Sequence, residues 1–78
     1  MRYFFHLTET GCEVIDEEGR EFAGLDEVLA AAIGDARSVI AAEALKGKLP
    51  LRSRIEVEDE QGSRVLVLPF DQAVLFDG

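Results

Sequence analysis

Residues 2–8, RYFFHLT, carry aromatic and β-favouring side chains on alternating faces. Tyr3, Phe5 and Leu7 share one face, and Phe4 and His6 share the other. The pattern predicts a strand. A Thr10-Gly11 turn follows, and Cys12–Ile15 predicts a second strand, antiparallel to the first. The REF of residues 20–22 predicts a short further strand. The period then changes. Leu25, Val28, Leu29, Ala32, Ile33, Ala36, Val39 and Ile40 form one apolar stripe and predict a helix over 25–46. Gly24 is placed as its N-cap, with Glu27 positioned to reach back to the cap amide. Asp26 and Glu27 suit the positive end of the helix dipole. Gly47 supplies the stop and Pro50 blocks continuation. Two positions break the stripe: Glu43 falls on it and Leu45 falls opposite. Residues 54–69 predict a hairpin, in which RIEVE alternates while RVLVLP is apolar on both faces.

The tetrapeptide Asp-Glu-(Glu or Gln)-Gly occurs twice, at Asp16–Gly19 and at Asp59–Gly62. Each predicts a three-residue hairpin loop: Asp bonds its own backbone, and Gly takes the left-handed conformation that closes the loop. In the second hairpin this sets Asp59 opposite Ser63, Glu58 opposite Arg64, Val57 opposite Val65 and Ile55 opposite Val67. Val65 and Val67 then face the helix, while Leu66 and Leu68 face outward with Glu56 and Arg54. After Pro69, FDQAV predicts one helical turn capped by Asp71.

These elements predict one α+β domain over residues 1–78. Its antiparallel sheet has three to four strands, with one long helix on one face, in the order β-β-α-β-β. A chain of 78 residues buries only about 60% of its unfolded surface, and its core supplies about 3–5 kcal/mol. One helix covers one face, so the other face is expected to be open and partly apolar.

Composition narrows the function. The net charge of -8, from 8 basic and 16 acidic residues, opposes nucleic-acid binding, which needs a basic surface to displace counterions. The local exception is LKGKLPLRSR, where Lys46, Lys48, Arg52 and Arg54 stand without an acid. Cys12 is the only cysteine, so no intramolecular disulfide forms, and a reducing, cytoplasmic setting is expected. No apolar run reaches the ~20 residues a membrane span requires. The first residues lack the apolar stretch of an export signal.

Candidate chemistry fails on spacing. Counted from Asp16, a calcium loop would use Asp16, Glu18 and Glu27. Arg20 and Glu21 then occupy the positions that want an oxygen ligand and a glycine. His6 with Cys12 does not make a tetrahedral set. Ser38, Ser53 and Ser63 lack a nucleophile-elbow context. No catalytic, cofactor-binding or metal residue is assigned, and no enzyme is expected. The expectation is a non-enzymatic interaction module that self-associates through its open sheet face. Phe4, His6, Leu66, Leu68 and Leu45 are the candidate interface residues, and a second copy or another protein is the partner. The alternative is an accessory domain that binds a small ligand or metal.

Four segments taken together carry a resemblance: RYFFH (Arg2–His6), DEEG ahead of an alanine-rich helix, RIEVEDEQG (Arg54–Gly62), and LPF (Leu68–Phe70) followed closely by AV. The set resembles a family of small bacterial proteins known only as a domain of unknown function. The resemblance spans nearly the whole chain. It implies a short cytoplasmic bacterial protein and transfers no catalytic or binding residue.

Overall fold

The computed structural model describes residues 1–75. The last three residues of the predicted 1–78 domain lie outside the described residues. Five strands and one helix follow in the order β1 (Arg2–Glu9), β2 (Cys12–Val14), β3 (Arg20–Glu21), α1 (Leu25–Ala44), β4 (Arg54–Asp59) and β5 (Arg64–Pro69), with a 3-10 turn at Phe70–Gln72. The sheet is antiparallel throughout. The α+β architecture is as expected, with one more strand before the helix.

β1 is the centre of the sheet. One of its edges pairs with β4, which pairs with β5. Its other edge takes β2 at Leu7–Glu9 and β3 at Arg2–Tyr3. Asp16–Gly19 is therefore not the predicted hairpin turn. The chain keeps its direction through residues 15–19 and leaves the edge as a bulge between two pieces of one interrupted strand. Asp59–Gly62 does close a hairpin. Asp59 N–H donates to Ser63 O at 2.9 Å, and Gly62 N–H donates to Asp59 O at 3.1 Å.

The two tetrapeptides nevertheless share their local structure. Asp16 Oδ1 accepts from Glu18 N and Gly19 N, and Asp59 Oδ1 accepts from Gln61 N and Ser63 N. Gly19 and Gly62 sit at φ 71° and 79°, where glycine has no steric penalty. The local sequence sets the bend. Whether the chain reverses depends on the partners outside the bend.

The β4–β5 register corrects the expectation for the leucines. Glu58 pairs with Arg64 as predicted, but an irregularity between Val57 and Glu58 shifts the rest by one residue. Val57 then faces Leu66, and Ile55 faces Leu68. A one-residue slip exchanges the faces of every later side chain. Leu68 is buried and Leu66 half-buried on the helix side, while Val67 is exposed beside Glu56. The core joins Tyr3, Val28, Ala32, Ala36, Ile55, Val57, Leu68, Phe70 and Ala73.

The helix packs over β4, β5 and the 3-10 turn. Val28, Ala32 and Ala36 are its fully covered positions. Leu25 and Leu29, placed in the predicted stripe, are 54% and 41% exposed. Val28, between them, is fully buried, so the covered stripe is narrower than the predicted one. Gly24 is the N-cap, but Glu27 reaches back to the Ala23 N–H at 2.8 Å rather than to the cap itself. The helix ends at Ala44, two residues before the predicted end. Gly47, at φ 82°, closes it: its N–H donates to Ala44 O, and Lys48 N–H donates to Glu43 O. Pro69, not Asp71, caps the 3-10 turn. That turn is fixed at both ends. Phe70 N–H donates to Ser53 O at 2.9 Å, and Arg37 Nε of the helix donates to Ala73 O at 2.6 Å.

Candidate functional site

Two regions gather polar or exposed groups in arrangements that elementary sheet and helix geometry does not require. The first lies on the sheet face away from the helix. Even-numbered β1 residues point there, so Phe4, His6 and Thr8 meet Glu56 and Glu58 of β4. His6 is only 8% exposed, because the bulge of residues 15–19 crosses beside it. The Asp16 backbone N–H donates to His6 Nδ1 at 3.1 Å. An accepting Nδ1 leaves the proton of the neutral ring on Nε2, which stands 3.7 Å from Glu58 Oε2.

Asp16 anchors the same bulge. Its Oδ2 accepts from Phe5 N at 3.0 Å, filling the gap that β2 and β3 leave along β1. Burial works against the ionised carboxylate. The N–H groups of Phe5, Gly19 and Glu18, together with His6, outweigh burial and hold Asp16 below its ordinary value. Glu56 is likewise enclosed. It accepts from Thr8 Oγ1 at 3.3 Å and pairs with Arg64 at 3.2 Å and Arg54 at 3.6 Å. This face is thus a mesh of satisfied charges, not the apolar surface expected. Its histidine and carboxylates are spent on holding the bulge and strands together. Among the described residues no buried side-chain nitrogen or oxygen lacks a partner, and no three His, Cys, Asp or Glu side chains gather as a metal site.

The second region is where the helix ends. Glu9 and Thr10 of the β1–β2 turn, Glu43, and the connection Lys48–Ser53 line an open cleft of about 590 Å³. That volume is in the range of small-ligand sites. Lys48 and Arg52 have no ion-pair partner among the described residues, whereas Lys46 pairs with Glu43 at 3.7 Å. Leu45 is 91% exposed and Leu49 65% exposed at this end, with Pro50 and Leu51 half-buried between.

The five candidate interface residues are therefore scattered. Phe4 and His6 lie on the polar sheet face, Phe4 half-buried against the bulge at Gly19. Leu66 and Leu68 lie on the helix side of the sheet. Leu45 stands alone at the end of the helix. The cleft and Leu49 had no assigned role in the sequence. Their signal was the acid-free LKGKLPLRSR, in which leucines continue past the Gly47 stop. No helix of the described residues is long and apolar enough to cross a membrane.

Comparison with curated proteins and with solved structures found no match. A family model does match, over residues 2–71, and so the chain belongs to the family described as Domain of unknown function (DUF6894).

Proposed function

We propose that the protein is a small non-enzymatic interaction module, self-associating, whose contact surface is the end of the molecule where the helix stops. The observation that carries this is the exposure of Leu45 and Leu49 beside the cleft. Isolated exposed apolar residues are ordinary, but here Leu49, Pro50 and Leu51 line one cleft and Leu45 is exposed on the helix end that leads into it. Leu45 is the C-cap of the helix and stays 91% exposed there. The open sheet face is the weaker surface, because its charges are already paired within the chain. Cys12 is exposed, which suits the reducing bacterial cytoplasm.

Light scattering across a concentration series tests the proposal. The mass should rise above that of the 8.6 kDa chain, and Leu45→Ser with Leu49→Ser should return it to one chain without loss of helical circular dichroism. A wild-type mass of one chain at every concentration overturns self-association. A second reading, an accessory domain that holds a small ligand, is favoured by the cleft alone, where Lys48 and Arg52 face Glu9 and Glu43. It requires saturable shifts of those residues in an amide spectrum on adding zwitterionic or anionic small molecules.

A further inference from the structure

The two acidic tetrapeptides, far apart in sequence, come together in the fold. Tyr3 pairs with Asp59, which places the β4–β5 hairpin tip beside the start of β1. Arg2 Nη1 donates to Glu18 O at 2.8 Å, which draws the bulge toward the same end. The helix also begins there, since Phe22 N–H donates to Met1 O at 3.1 Å two residues before the cap. Glu17, Glu18, Asp26 and Glu60 are all exposed at this end, and none pairs with a lysine or arginine among the described residues. Met1 and Leu25 are exposed among them.

The helix runs to the opposite end, where its stop meets Glu9 and Thr10. Lys48 and Arg52 are exposed there with Leu45 and Leu49. The molecule measures 38 × 27 × 16 Å, and a helix of 20 residues spans ~30 Å of it. Separation on that scale exceeds the ~8 Å Debye length at physiological salt, so each end acts on a neighbour as a separate patch. One end offers apolar groups among acids without a cationic side-chain partner, Glu60 accepting only from the Arg2 backbone N–H; the other offers apolar groups beside Lys48 and Arg52, with Glu9 and Glu43 across the cleft.

We infer that copies of this chain associate head to tail, the Leu45–Arg52 end of one seating on the Glu17–Asp26–Glu60 end of the next. This rests on the self-association proposed above and specifies its geometry. A two-fold contact would place the acidic end on itself, which charge opposes, or set Lys48 and Arg52 against their own copies with only Glu9 and Glu43, which already face them, as counter-charge. A head-to-tail contact leaves a free head and a free tail, so assembly continues into chains or closes as a ring. Assembly is strongest at low salt and recedes as salt rises.

Charge exchange tests the inference, with sedimentation velocity as readout and circular dichroism confirming that each variant folds. Lys48→Glu with Arg52→Glu gives a chain with two acidic ends. Glu17→Lys, Glu18→Lys, Asp26→Lys and Glu60→Lys together give one with two basic ends. Each alone should associate about tenfold more weakly than wild type, or worse. Their mixture should recover association, since every contact between the two is complementary again. Recovery supports head-to-tail seating. Wild-type assembly that stops at a dimer, or is untouched by the fourfold lysine variant, overturns it while leaving the interaction reading in place. A wild-type monomer at low salt and high concentration overturns both.

Discussion

Gly19 and Gly62 occupy the same position of the same tetrapeptide, with nearly the same backbone angles, φ 71° and 79°. Their surroundings differ. A Cβ built on Gly62 meets nothing within 4 Å. A Cβ on Gly19 meets Arg2 Cγ at 2.8 Å, Phe4 Cε1 at 2.9 Å and Tyr3 O at 3.0 Å. Alanine at either position bears the left-handed penalty of about 1–2 kcal/mol. It also gains the same small benefit from a stiffer unfolded chain. Those contributions cancel in the difference between the two variants, which leaves the close approach. Arg2 is flexible and can yield. Tyr3 O is backbone within β1 and cannot, and the Phe4 ring is held beneath the bulge. Overpacking of this kind costs about 1–3 kcal/mol.

Gly62→Ala should therefore stay folded with a modest loss. Gly19→Ala should lose about 1–3 kcal/mol more, a large share of the ~3–5 kcal/mol such a core supplies. Urea titration followed by far-ultraviolet circular dichroism reads both. Equal losses, or a larger loss at Gly62, would show that the bulge does not press on β1 and would remove its role as cover for Phe4 and His6.

Phe70→Ala should unfold the chain, since a fully buried aromatic costs about 3–5 kcal/mol to truncate. Leu29→Ala, at a 41% exposed position, should cost only about 1 kcal/mol; thermal melts separate the two, and a reversed order refutes the packing described. Asp16 is held below its ordinary 3.8 in the fold, so its ionised form contributes stability that is full above 3.8 and lost as pH falls through the lower folded value. The stability gap between wild type and Asp16→Asn should accordingly narrow on acidification below pH 3.8, measured by urea titration in a pH series; a gap that widens refutes the assignment.

Much of the architecture was legible because local signals agreed. The 2–8 alternation, the helical stripe and the Gly47 stop each rest on residues whose physics is local. The errors arose where one residue of register depends on distant partners. RVLVLP is apolar on both faces, so its pattern is equally consistent with valines or leucines inward. The irregularity at Val57–Glu58 decided it, and no residue type there announces a bulge. The open face was expected to be apolar on the strength of that register. With the leucines turned in, what remains is charge. His6 looked like a lone strand residue because its partner, the Asp16 amide, comes from a segment expected to turn away.

The bulge itself offers the most direct test of how the edge is built. Between the pairs Leu7–Val14 and Tyr3–Arg20, β1 advances four residues while the edge advances six. Deleting Glu17 and Glu18 removes the surplus and permits one continuous edge strand. In that strand Asp16 would stand opposite Phe5, on the face that packs toward the helix, against the Phe5 ring and beside an Arg20 guanidinium already engaged by Asp35. The deletion alone should therefore destabilise. Adding Asp16→Val to the deletion should recover stability, because a β-branched apolar residue suits that position, with about 1 kcal/mol from burial. In the full-length chain the same Asp16→Val strips the acceptor from Phe5, Glu18 and Gly19 and should cost about 1–3 kcal/mol. The effect of one substitution thus changes sign with the length of the bulge. Denaturant titrations of the four chains measure it. If Asp16→Val is harmful in both backgrounds, the edge does not rejoin, and residues 15–19 are held by something other than the surplus of two residues and the carboxylate that organises them.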